Sequence, residues 1–399
     1  MPMNLLPENI DLNLTVWALM AAAAIPMIWL LVFYTRRVAS VARAVRRHTY
    51  PLTETPEGVS VIVHSSGNAD DLGRLLESLF SQQYGGQMEV IVVNDGKNEE
   101  IKDVVTRMKY LRRLDNLYIT FTPPVVRNIS PRKLSVTLGA KAAHHPLLVM
   151  VDEQAQLPSD LWLARMTAPF ADEQIQVVIG SALPDHKADK HRHGRRYRSF
   201  THAADAVMWL SAAIRRRPYR GHGCNLAYRR SLFFDSRGFS SALNLRDGDD
   251  DIFINRVTTR DNTAAVVSRD AQVTYSHPSS RHEYRQRRPR RFHTARSLRK
   301  GSARFFGFSS LMTWLFVLLT VTAAAAAVYN RDWTQCGAVG AQIALLWLPI
   351  CLTWRRTLLS LRARPATLTV PWMMLRRPFT NLRHKCLARQ RRKEYYTWS

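Results

Sequence analysis

Val59–Asn94 reads VSVIVHSSGNADDLGRLLESLFSQQYGGQMEVIVVN, and this stretch decides the fold. Val59–Val63 is a short, nearly unbroken apolar run, as expected of a strand buried on both faces. Asp70–Gln82 then changes period. Leu72, Leu75, Leu76, Leu79 and Phe80 fall on one face of a helix. Glu89–Val93 returns to the strand pattern. Working outward, Ile101–Leu111 predicts a helix with Val104, Val105 and Met108 on its apolar side. Leu117–Phe121 predicts a third strand, Lys133–Ala143 a helix and Leu147–Val151 a fourth strand. Apolar strands alternating with amphipathic helices predict an α/β fold, a Rossmann-like and mostly parallel sheet.

Such sheets bind ligands beyond the carboxyl ends of their strands. The residues there are His64-Ser65-Ser66, Asn94-Asp95-Gly96 and Asp152-Glu153-Gln154. Two strands end in carboxylates, and neither Gly-x-Gly-x-x-Gly nor a Walker sequence occurs, which disfavours a dinucleotide or P-loop site. Carboxylates at strand ends suit ribose hydroxyls and a metal ion bridging a diphosphate.

The chain has 399 residues and a formal net charge of +26. Such a charge points to nucleic acid, a membrane surface or an acidic substrate, and its placement decides among them. Leu14–Tyr34, Phe305–Asn330 and Trp333–Trp354 carry no charge and have the length needed to cross a bilayer. Arginines follow the first, precede the second and follow the third, so the positive-inside rule puts every basic cluster on the cytosolic side and the N-terminus outside. The acidic N-terminus, with Arg36-Arg37 where cleavage would fall, reads as an uncleaved anchor rather than a signal peptide. The expected layout is an external segment 1–13, a span 14–35, a basic linker 36–56, a cytosolic domain 57–292, a basic linker 293–304, spans 305–330 and 333–354, and a basic tail 355–399. In that tail the uncharged stretch Pro365–Leu375 reads as interfacial or re-entrant, and the rest suits an anionic lipid leaflet. Most of the positive charge is thus juxtamembrane, and no nucleic-acid partner is expected. The four cysteines form no C-x-x-C pair, which argues against a disulfide framework or a structural zinc site.

From Gly58 to Phe292 the order of motifs resembles glycosyltransferase family 2, the inverting enzymes of GT-A fold, and the flanking spans resemble its membrane-bound bacterial members. Val93-Asn94-Asp95-Gly96-Lys97 is similar to the family's "V-D-D-G-S", which implies that Asp95 contacts the nucleoside of a sugar donor. RKLSVTLGAKAAHHPLLVMVDEQ is similar to its "K-x-x-A-L-N-x-G" helix and "D-A-D" strand end. Lys133 then matches the lysine that approaches the donor, and Asp152 the first Asp of D-x-D, which holds Mg²⁺ or Mn²⁺ on the diphosphate. Gln154 replaces the second Asp, an amide oxygen that can still ligate but carries no charge. Gly221-His222-Gly223-Cys224-Asn225-Leu226-Ala227-Tyr228-Arg229-Arg230 is similar to "G-x-N-x-A-Y-R-R". Gly248-Asp249-Asp250-Asp251-Ile252 is similar to "E-D-x-D-L", where the family's Asp is the general base. Spacing to Ile252 favours Asp249, and Asp250 is its neighbour. Asp251 is expected to point away. RQRRPRRF (Arg285–Phe292) is a degraded "Q-x-x-R-W", with Arg291 on the family's Arg and Arg288 where Gln is expected.

The resemblance implies a multi-pass glycosyltransferase of the bacterial inner membrane, its catalytic domain cytosolic. It would move a sugar from a nucleotide-sugar donor to a glycan or lipid-linked acceptor with inversion, in surface polysaccharide or glycolipid synthesis. The Gln154 and Q-x-x-R-W departures motivate an alternative, a catalytically impaired glycosyltransferase-like membrane scaffold. Arg288 and Arg291 read equally as holders of the nucleotide diphosphate or as membrane-surface anchors. Asp185–His193 has metal-ligand residue types in no metal-site spacing and reads as a solvated loop. Cys224 reads as a packed small residue.

Overall fold

The computed structural model describes residues 12–47, 50–65, 67–95, 98–123, 129–185, 194–276, 281–298, 303–391 and 396–397. Gly96, Lys97 and the tract 186–193 lie outside them.

Among the described residues ten strands make two sheets. Seven of them, in the order β3-β2-β1-β4-β8-β6-β9, form the main sheet. They are β1 (Val59–Ser65), β2 (Met88–Asn94), β3 (Leu117–Phe121), β4 (Leu147–Asp152), β6 (Val177–Gly180), β8 (Leu226–Arg229) and β9 (Thr263–Val266). β1 runs parallel to β2 and β4, β2 to β3 and β6 to β9, while β8 is antiparallel to both its neighbours. The sheet is mostly parallel, as the apolar runs required. The smaller sheet, β5-β10-β7, combines β5 (Ala155–Gln156), β7 (Ala182–Asp185) and β10 (Val273–Ser276).

Alternation along β1 sorts the two helical layers. Val59, Val61 and Val63 pack with Leu72, Leu75, Leu76 and Leu79 of the helix Ala69–Phe80. Ile62 faces the other way, with Val136 and Ala140 of the helix Pro131–Ala142. Successive strand side chains point to opposite faces, so one strand anchors both layers. Gly139 sets how closely the second helix sits, because a Cβ there would stand 2.5 Å from Ile62 Cγ2. Register then aligns the strand ends: His64 pairs with Asp152, and Ser65 with Asn94. The fully buried Asn225 joins the two sheets, its amide donating to Ser181 O at 2.8 Å and to Ala271 O at 2.7 Å while accepting from the Trp162 indole.

Among the described residues three helices are long and apolar enough to cross a membrane: Asn13–Arg46, Gly307–Tyr329 and Trp333–Ser360, with mean hydropathy of 2.3, 2.1 and 1.7. They flank the α/β domain in sequence, and side chains such as Ile25, 72% exposed, and Leu345, 62% exposed, face outward. That much apolar surface is stable only against another apolar phase. The first helix does not stop at Arg36-Arg37. It passes through a π-helical turn, Tyr34–Val38, into Ala39–Arg46. Within Pro365–Leu375 a helix starts at Val370 and runs to Gln390, packing on the helix Arg281–Thr294.

Candidate active site

Three elements meet beyond the carboxyl ends of β1, β2 and β4: the strand-end residues, the turn Gly221–Asn225 before β8, and the acidic turn Asp249–Asp251. Asp95, buried at the end of β2, donates its amide to Ser65 O at 3.3 Å. Glu153 turns inward, accepting from Ser65 Oγ at 2.7 Å and from the Gly67 and Asn68 amides at 3.3 Å. It buckles the end of β4 to the loop after β1. Asp152 stands 2.7 Å from an Arg132 terminal nitrogen and accepts from Cys224 Sγ at 2.8 Å. Burial alone would raise the Asp152 carboxyl, but Arg132, with smaller help from His64 and Cys224, holds it well below the usual carboxylate range. Burial and Asp152 together push the Cys224 thiol up, so it remains a donor.

The acidic turn treats its three carboxylates differently. Asp249 takes Arg132 Nε at 2.5 Å. Asp251, nearly fully buried, takes Arg220 in a two-pronged pair. Asp250 accepts only the Gly223 amide among the described residues, at 3.1 Å. Burial, then the neighbouring Asp251 and Asp249, push Asp250 up to about 8. His222, whose ring stacks on Tyr275 at 4.9 Å, is pushed down to about 3 by burial and by Arg291, so it stays neutral.

Three residues expected at the donor have partners within the protein. Lys133 is fully buried and donates to Ala242 O, Leu245 O and Asp247 O at 2.6, 2.7 and 3.0 Å. Its ammonium braces the loop leading into the acidic turn, and the cation facing the strand end is its neighbour Arg132. A helix turns about 100° per residue, so adjacent side chains diverge. Arg288 and Arg291 converge, with Arg377, on Asp205 of the helix Arg195–Ile214, at 3.4, 3.6 and 2.6 Å. Burial opposes ionisation of Asp205, but the three guanidiniums hold it well below the usual range. Asp251 does not point away, since Arg220 holds it inward. Arg132, Arg220, His222 and Asp205 were not singled out in the sequence, because each finds its partner far along the chain.

Beside Glu153, an open cleft of about 430 Å³ is lined by Gly67, Asn68, Asp70, Glu100 and Gln154. That volume suits a small organic ligand. Among the described residues no three His, Cys, Asp or Glu side chains converge as an ion cage. Asp152 and Gln154 offer one carboxylate and one amide oxygen. That set fits an ion which brings phosphate oxygens and water as its remaining ligands, the usual manner of Mg²⁺.

Residues 60–234 match the family model described as Glycosyl transferase family 2. The matched region holds β1, β2, β4, Arg132, Asp152 and the Gly221–Asn225 turn, and ends before the acidic turn. No curated protein matches the sequence. Among solved structures, a mannosyltransferase from Pyrobaculum calidifontis, in complex with GDP-Man and Mn²⁺, superposes with a TM-score of 0.51 at 19% identity, covering 94% of this chain and 99% of that one. That likeness extends over nearly the whole molecule and shows the GT-A fold. The S. aureus TarS 1–349 complex with UDP-GlcNAc overlaps more loosely, with a TM-score of 0.40 at 13% identity over 83% of this chain and 90% of that one.

Proposed function

We propose that this chain is a membrane-bound, inverting glycosyltransferase working at the cytosolic face of a bacterial inner membrane. It takes a sugar from a nucleotide-sugar donor to an acceptor hydroxyl on a glycan or lipid-linked carrier, in polysaccharide or glycolipid synthesis. The observation that carries the reading is Asp250, a half-buried carboxyl without a cationic partner among the described residues, beside two carboxylates that each have one. A general base works best when its pKa lies near the operating pH, and a carboxyl pushed up to about 8 meets that need.

In this reading Asp95 meets the nucleoside, and the diphosphate lies toward Asp152 and Gln154. Mg²⁺ or Mn²⁺ held by that pair would supply charge neutralisation of the leaving diphosphate. Asp250 takes the proton from the acceptor hydroxyl as that oxygen attacks the anomeric carbon from the face opposite the leaving group. The Gly223 amide orients the carboxylate, while Arg132 and Arg220 engage Asp249 and Asp251. Arg288 and Arg291 stand beside the site rather than under the diphosphate, where with Arg377 they leave a net positive charge around Asp205. The Arg132–Asp152 pair and the neutral Gln154 favour the second reading, an impaired membrane scaffold.

The deciding experiment incubates the membrane fraction and native lipid extract with a panel of labelled nucleotide-sugars. Transfer by the unmodified chain, lost in Asp250→Asn with donor Kd held within a few-fold, is the expected result. Transfer at full rate by Asp250→Asn overturns the mechanism, and the absence of transfer from every donor selects the scaffold.

A further inference from the structure

Arg132 joins two carboxylates supplied by elements far apart in sequence, Asp152 at the end of β4 and Asp249 in the acidic turn. The fold makes room for it. A Cβ on Gly223 would stand 2.5 Å from the second terminal nitrogen of Arg132, so only glycine leaves the guanidinium where it is. The three groups are not sealed: the side chains of Arg132, Asp152 and Asp249 are 27%, 20% and 12% exposed. An incoming anion can therefore reach the guanidinium without the domain unfolding.

A guanidinium paired to Asp152 holds a carboxylate that a divalent ion would need. It also binds phosphate with the same planar fork that it offers a carboxylate. A bare ion arriving at Asp152 must displace Arg132 and leave that charge with one partner fewer. An ion arriving on a diphosphate brings the arginine a replacement anion, so pairs are exchanged rather than broken.

We propose that Arg132 is the resident counter-ion of the donor site, closing Asp152 to a free divalent ion and yielding it to an ion carried by a diphosphate. The inference rests on the donor placement above, and it makes Arg132 a positioning residue that orders the binding of ion and donor. No covalent step is involved.

The test uses the full chain in detergent, with Mn²⁺ alone as the first probe, followed by the paramagnetic signal of the free ion. Arg132→Gln is expected to bind Mn²⁺ at least about tenfold more tightly than the unmodified chain, the scale of one moderate ion-pair contribution. The double variant Arg132→Gln/Asp152→Asn should lose that gain, which places the new ion on Asp152. With GDP or UDP as the second probe, the unmodified chain should bind the nucleotide more tightly with Mn²⁺ than with a chelator, and Arg132→Gln should weaken that binding about tenfold. If Arg132→Gln loses its fold, Gly223→Ala serves instead: it displaces the guanidinium without removing it, and should raise affinity for Mn²⁺ alone. Unchanged Mn²⁺ affinity in the folded variant, with Mn²⁺-dependent nucleotide binding intact, overturns the counter-ion role alone. Nucleotide binding that ignores both Mn²⁺ and Arg132 overturns the donor reading beneath it as well.

Discussion

Two runs of adjacent acidic residues meet at the site, and the molecule handles them in opposite ways. At the end of β4, Asp152 and Glu153 are both satisfied, one by Arg132 and Cys224, the other by a serine hydroxyl and two backbone amides. In the acidic turn, Asp249 and Asp251 each take an arginine, and the residue between them takes one backbone N–H. Residue type does not separate these carboxylates; the allocation of arginines does. Arg132 holds Asp152 well below the usual carboxylate range, whereas Asp250, given no arginine, is pushed up to about 8 and can exchange its proton near neutral pH.

The sharpest way to break this contrast is Asp250→Asn. Loss of a general base costs about 10² to 10⁴ in rate, so kcat should fall by that order in transfer assays while donor Kd holds within a few-fold. Asp249→Asn should cost less, because its expected loss is the hold on Arg132, and should register in donor affinity as well as in turnover. A second break concerns stability. Asp251→Asn leaves Arg220, 14% exposed, facing a neutral amide. Removing one partner of a buried pair costs about 3 kcal/mol or more, visible as a lowered Tm, where a carboxylate that pointed outward would tolerate the change.

The pH dependence sharpens the same contrast at smaller scale. Asp250 binds its proton more tightly in the folded chain, where it titrates at about 8, than in the unfolded chain at about 3.9. The folded state therefore holds the extra proton between those values, and its contribution to stability is lost as pH rises through that window. Turnover should rise over the upper part of it, as the base form appears. Asp250→Asn should flatten the stability slope, so its Tm relative to the unmodified chain improves as pH goes from 6 to 8.5. The smallest effect is expected of Glu153→Gln, which keeps the shape and weakens three hydrogen bonds. About 1–2 kcal/mol of stability should go, with turnover reduced only as far as the loop after β1 loosens.

The two halves of the domain were not equally legible. Strands β1 to β4 and the helices between them follow from period alone, because each is long enough for its apolar face to be counted and each packs against a near neighbour. The acidic turn and the Gly221–Asn225 turn were visible as motifs, but motif matching selects residues by type and position. Lys133 stood out over Arg132 for that reason, although the helix Pro131–Ala142 aims the lysine at the loop 242–247 and the arginine at the strand end. Asp205 and its arginines were illegible for a different cause. Arg288 and Arg377 come from two helices, and nothing local to either sequence marks a partner. The basic tail read as a lipid-facing charge run, whereas its helix carries Arg377 and Asn381 back to the domain, Asn381 accepting from Arg288 at 3.0 Å.

The first long helix has one more consequence. Leu12–Phe33 continues through Tyr34–Val38 into Ala39–Arg46 with no loop between, and that last segment packs against both the helix Arg195–Ile214 and the end of Trp333–Ser360. Thr357 Oγ1 reaches Val38 O at 3.4 Å on the same seam. The α/β domain is therefore held to the end of that helix by packing as well as by the connecting segment. In the proposed membrane setting, its distance from the bilayer is set by helix geometry, about 1.5 Å for each residue, as a bench fixes the height of the work laid on it. Under the proposed function, the acceptor hydroxyl would have to be presented at one standing height above the membrane.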